Sequence, residues 1–199
     1  MDYDAFAAGV EPGGLRNTNE IGILICYILD KADRPFPQSD LIEVIQSNGM
    51  ANYFETTSAL SELIRCGNIV YDDEEQTVLS ISKEGRLISK LLNNELSLSI
   101  RQKAVSATMK LAEKRKIEQE NPVVITKADD GGYNVSLRIT DGIRDLMKME
   151  VFVPDKKDAN LVKRNFHSNP ERLYSIMLAA IVGEKEMVNE ALKELKNES

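Results

Sequence analysis

Six side chains able to touch a nucleic acid fall close together in the sequence: Thr56, Thr57, Ser58, Ser61, Glu62 and Arg65. Hydroxyls bond base edges and phosphate oxygens, and a guanidinium reaches a phosphate or the O6/N7 edge of guanine. Such groups are useful on the exposed side of a helix that enters the major groove. Thr56, Thr57, Ser58, Ser61 and Arg65 are therefore the candidate DNA-contacting residues, and the alternative is a solvated helix face. A second group is basic: Arg101, Lys103, Lys110 and Lys114, continued by Arg115 and Lys116, lies along one side of a long helical pattern and is the candidate for contacts to the DNA backbone. Two features oppose this chemistry. Arg65 shares its helix with Glu55 and Glu62, and Asp72-Asp73-Glu74-Glu75 places four carboxylates in a turn where a phosphate would be repelled.

Enzymatic chemistry has no comparable support. The sequence contains no glycine-rich phosphate loop between a strand and a helix, no GxSxG and no HExxH. Asp129-Asp130-Gly131-Gly132 reads as a hairpin turn. Asp141, Asp145 and Glu150 surround the start of a strand without converging on a common site. The two cysteines, Cys26 and Cys66, have no CxxC spacing and read as small buried side chains. His167 is the sole histidine and reads as a helix-end residue, so a zinc site has no ligands. The expectation is a protein with no catalytic residue, no metal and no cofactor.

Charge separates the two halves. Residues 1–100 hold 7 Lys and Arg against 16 Asp and Glu, a net −9, whereas 101–199 hold 18 against 16, a net +2. The segment expected to approach DNA is thus the acidic one, and an acidic face suits a basic protein partner better than a polyanion. No apolar run is long enough to span a bilayer, and the N-terminus has acids where a secretory signal would carry Lys or Arg. A cytoplasmic protein without a membrane partner is expected.

These residues need elements to hold them. Residues 1–16 read as an arm ending in the turn Pro12-Gly13-Gly14. Asn17 and Glu20 then open a first helix, whose stripe is Ile21, Leu24, Ile25, Ile28 and Leu29. A second helix starts near 38–39 and buries Leu41, Ile42, Val44 and Ile45. Asn52 and Glu55 open a third, near 53–66, carrying Phe54, Ala59, Leu60, Leu63 and Ile64 inward. Two β-rich runs around the acidic turn make a hairpin near 68–82. Ser82 caps a fourth helix with Leu87, Ile88, Leu91 and Leu92 inward. Together these form a domain over 17–97. A long helix follows at 98–121, with Ile100, Ala104, Ala107 and Leu111 on one stripe that suits packing on its own sheet or against a second copy. Three alternating strands make an antiparallel meander between 123 and 153. Helices near 158–166, 169–183 and 184–196 cover it, giving a C-terminal domain over 122–199. The fold class is α+β.

The order helix, helix, helix, hairpin, helix is that of a winged helix-turn-helix. The run Ala59-Leu60-Ser61-Glu62-Leu63-Ile64-Arg65-Cys66-Gly67-Asn68-Ile69 resembles the recognition helix and first wing strand of many bacterial winged-helix transcriptional regulators. Ser82-Lys83-Glu84-Gly85-Arg86 resembles the helix start that follows their wing. Phe6, Gly9, Pro12-Gly13-Gly14-Leu15-Arg16, Glu20-Ile21, Leu24-Ile25-Cys26-Tyr27, Asn52-Tyr53-Phe54-Glu55 and Ala59-Leu60 together resemble an uncharacterised bacterial domain-of-unknown-function family, most strongly over 5–70. That resemblance implies the winged-helix fold, its members being described at most as winged-helix or regulatory proteins. It implies no ligand, operator or catalytic residue. Relatives of this kind dimerise through helices outside the wing, so Ile100, Ala104, Ala107 and Leu111 are the candidate dimer interface. The expected function is a dimeric regulator bound to double-stranded DNA, with a C-terminal domain for dimerisation or sensing. The alternative is a winged-helix module that docks a protein and not DNA.

Overall fold

A computed structural model describes residues 10–129, 131–183, 185, 186 and 189. The expected contributions of Phe6 and Gly9, and of Met187, Ala191, Leu192 and Leu195 to a last helix, lie outside these residues. The architecture is α+β, with two three-stranded antiparallel sheets. The chain divides into two compact units, Met1–Ala112 and Glu113–Ser199, and the division falls inside the long helix expected to join the halves.

In the first unit, helix α1 (Thr18–Ala32) starts at Asn17, whose side chain accepts the Asn19 N–H at 2.9 Å. It buries more than the predicted stripe, since Ile23 and Cys26 are enclosed as well. The helix is apolar on nearly every side, so neighbours surround it, and the helices over Tyr53–Arg65 and Lys83–Leu92 pack against it. Strand β1 (Phe36–Pro37) leads into α2 (Gln38–Ser47), which stops at Asn48-Gly49. Helix α3 (Tyr53–Arg65) begins at Asn52, whose side chain accepts the Glu55 N–H at 2.9 Å. Strands β2 (Ile69–Tyr71) and β3 (Val78–Ile81) form the expected hairpin, and β1 pairs with β3 to give the order β1-β3-β2. Strand β1 is only two residues long and half proline, so it leaves no alternation in the sequence.

Helix α4 (Lys83–Leu92) is capped by Ser82, which accepts the Gly85 N–H at 3.1 Å. It turns Gly85 and Ser89 inward, whereas Leu87 and Leu91, expected to face the core, are 56% and 73% exposed. Two contacts decide this. A Cβ on Gly85 would lie 2.2 Å from the Asn68 carbonyl oxygen, so only glycine permits the approach. On the α1 side, Asp30 accepts hydrogen bonds from Arg86 and from the Ser89 hydroxyl, each at 3.0 Å. Helix α5 (Leu98–Glu120) buries Ile100, Ala104, Ala107 and Leu111 in the same core as α1 and α3. The stripe expected to meet the C-terminal sheet or a second copy is therefore covered by its own unit and offers no dimer interface. Cys26 is buried, but Cys66 is exposed at the end of α3, against expectation. Burial, helped by the nearby Asp30 charge, pushes the Cys26 thiol up to about 12.

In the second unit, β4 (Val123–Lys127), β5 (Tyr133–Thr140) and β6 (Asp145–Val153) make the predicted meander in the order β4-β5-β6. Val135 stands opposite Ile125 and Val151, and Leu137 opposite Val123 and Met149. One face is thereby apolar, and α6 (Lys156–Ser168) and α7 (Pro170–Val182) contribute Ala159, Phe166 and Leu173 to its cover. His167 sits at the end of α6 as expected. Its Nε2 lies 2.8 Å from the Asn121 carbonyl, an acceptor, so that nitrogen donates the proton.

Candidate nucleic-acid interface

The periodicity of α3 divides its residues into two opposed stripes. Thr56, Ala59, Leu60 and Leu63 are buried, which locks one side of the helix into the unit. On the opposite side Phe54, Ser58, Ser61 and Arg65 follow one another at spacings of four, three and four, and all are exposed. Thr57 is half-buried beside them. Thr56 does not belong with this group. It is 1% exposed, and its hydroxyl donates to the Asn52 carbonyl at 2.7 Å, so it holds the first turn of the helix and cannot meet DNA.

Phe54 was expected inside and is 80% exposed. Its ring meets that of Tyr53 edge-on, with centroids 5.7 Å apart, which puts an aromatic pair on the first turn of α3. The signal for this was present in the spacing, since Phe54 lies four residues before Ser58 and off the Ala59/Leu63 stripe. Apolar character alone had suggested burial.

Ser61 and Arg65 of the outer stripe, and Thr57 beside it, have intrahelical partners. The Thr57 hydroxyl donates toward the Tyr53 and Phe54 carbonyls, each at 3.0 Å, and that of Ser61 donates to the Thr57 carbonyl at 2.8 Å. Each hydroxyl retains acceptor capacity for an outside donor. Arg65 forms a two-pronged bond with Glu62, its Nε donating to the carboxylate at 2.9 Å. Glu62 is held below the usual carboxylate range, first by Arg65 and then by the Cys66 thiol, while Arg65 is raised in turn by Glu62. The one cation on α3 is thus neutralised on its own helix.

At the hairpin tip, Asp73 has a structural task. Its carboxylate accepts the Thr77 N–H at 2.9 Å, the Val78 N–H at 2.8 Å and the Thr77 hydroxyl. These bonds, the Thr77 hydroxyl foremost, lower its pKa. Asp72, Glu74 and Glu75 remain turned to solvent. On α5, Arg101 donates to Asn93 at 3.1 Å and Asn94 at 3.3 Å, Lys103 pairs with Glu11, and Lys110 and Lys114 are exposed. The described residues contain no cluster of His, Cys, Asp and Glu able to hold a metal ion, and no helix long and apolar enough to cross a membrane.

A family model described as a domain of unknown function (DUF4364) matches residues 21–181. No curated protein and no solved structure matches the chain.

Proposed function

The chain belongs to that domain-of-unknown-function family, and we propose that its first unit is a winged helix-turn-helix that binds double-stranded DNA, making the protein a cytoplasmic transcriptional regulator. The observation that carries this reading is the free outer stripe of α3. Phe54, Ser58, Ser61 and Arg65 run its length uncovered, while the inner stripe is fixed in the core. A helix so presented meets the steric requirement of a major-groove reader. Ser58 and Ser61 then contact base edges or phosphates, Arg65 a phosphate or guanine after leaving Glu62, and Phe54 a thymine methyl group. Arg101, Lys103, Lys110 and Lys114 are the residues proposed for backbone contacts. In a dimer, two copies of α3 would address half-sites about one DNA turn, roughly 34–36 Å, apart. The interface for such a dimer is not the covered stripe of α5.

A mobility-shift titration at low salt, on DNA from upstream of the gene and on bulk DNA, tests the proposal. Binding is expected, and a double Ser58→Ala/Arg65→Ala variant should bind its site about 5- to 150-fold more weakly, as for loss of one good base contact. Absence of binding to any duplex at low salt sinks the reading. The second reading, a module that docks a protein in place of DNA, is favoured by the Glu62–Arg65 pair and by the acidic tip.

A further inference from the structure

Of the four leucine and isoleucine residues of α4, Ile88 is half-buried against the core of its unit, whereas Leu87, Leu91 and Leu92 are exposed. Gly85 and Ser89 take the inner position, which rotates Leu87, Ile88, Leu91 and Leu92 to one flank and the outside. Ile88 and Leu92 form one wall of a groove of about 320 Å³ whose other lining includes Gly22 and Ile23 of α1 and Ala59 and Leu63 of α3. From that floor the apolar surface continues outward over Leu87 and Leu91. A strip of this kind on a small unit marks a binding surface.

The charges around it say what it accepts. Glu62 and Glu95 line the groove together with Thr18 and Asn19, and no Lys or Arg is among the described residues that line it. Glu84 lies three and four residues before Leu87 and Ile88, on the same stripe, and Glu95 lies three and four residues after Leu92 and Leu91. Carboxylates therefore frame the strip at both ends and along the α3 side, where Glu62 is shared with Arg65. Two copies of this surface brought face to face would oppose their acids. A cationic amphipathic helix matches both the apolar strip and its frame.

We propose that the groove between α1, α3 and α4 docks an amphipathic helix of another protein, its apolar side on Ile88, Leu91 and Leu92 and its Lys or Arg residues against Glu62, Glu84 and Glu95. Phe54, Ser58, Ser61 and Arg65 do not line the groove, which meets the outer stripe of α3 through the Glu62–Arg65 pair, so the proposal stands whether or not that stripe reads DNA.

The test uses the full chain and two synthetic helical peptides with leucines at i, i+3, i+4 and i+7, one with lysines and one with glutamates on the polar side. Anisotropy of the labelled peptides gives affinity, and amide shifts locate the contact. The lysine peptide should bind, shift the Gly22, Ala59, Ile88 and Leu92 amides, and weaken as salt rises. Leu91→Gln and Glu95→Lys should each weaken it by about tenfold. Both positions are exposed, and an unchanged urea midpoint verifies folding. Equal binding of the glutamate peptide, shifts confined to other surfaces, or no binding overturns the proposal. So does a dimer in sedimentation that Leu91→Gln dissociates, which would make a second copy the occupant.

Discussion

Asp73 and Thr56 illustrate how a side chain that looks functional in the sequence is consumed by the backbone around it. Asp73 belongs to a run of four acids that suggests a repulsive tip, yet it closes the hairpin by accepting from Thr77 and Val78. Its lowered pKa fixes the direction of a pH effect. A carboxylate whose pKa is lower folded than unfolded contributes stability above its unfolded pKa, about 3.9 for Asp, and loses it as pH falls through the folded value. The hairpin tip is therefore expected to keep its order at neutral pH and loosen in acid. Hydrogen exchange at the Thr77 and Val78 amides should quicken on acidification relative to Ile81. Asp73→Asn should show the quicker exchange already at neutral pH; identical protection in variant and wild type at every pH would remove the role assigned to Asp73. Thr56 makes the same point for the helix. Its neighbours Ser58 and Ser61 look alike in composition, but only the phase of the helix separates the hydroxyl that caps the interior from those that face outward.

Among the elements, α4 departs furthest from its pattern. Leucines spaced for a helix were read as its buried side, and the inner position belongs to Gly85 and Ser89. Replacing Gly85 by Val should force α4 away from the Asn68 carbonyl and cost about 1–3 kcal/mol or more, as overpacking does. A urea midpoint unchanged from wild type would refute the close approach. Much of the fold was nonetheless legible. Asn17, Asn52 and Ser82 announced three helix starts because a side-chain acceptor before an apolar stripe satisfies a specific orphan amide. The meander of β4, β5 and β6 followed from strict alternation, which a one-residue slip would invert. What stayed hidden depends on tertiary choice. The partner of α5's stripe and the two-residue strand β1 are decided by contacts distant in sequence, where apolar character says only that cover is needed.

For the whole molecule, the distribution of charge governs how it meets a polyanion. The first hundred residues carry a net −9, and the hairpin tip holds Asp72, Glu74 and Glu75 in solvent. If α3 reads DNA with backbone contacts from Arg101, Lys103, Lys110 and Lys114, affinity should fall with salt with a slope near −0.9 for each phosphate contact, roughly −3.6 for the four. Glu74→Lys/Glu75→Lys should tighten binding at low salt and steepen that slope by about one to two contacts' worth. An unchanged slope would place the tip away from the duplex. The strand β1 has a consequence for the protein in bulk solution. It is the outer member of its sheet, and one of its two residues, Pro37, has no amide hydrogen to offer an incoming chain. That border is too short and too poor in donors to template a strand from another molecule.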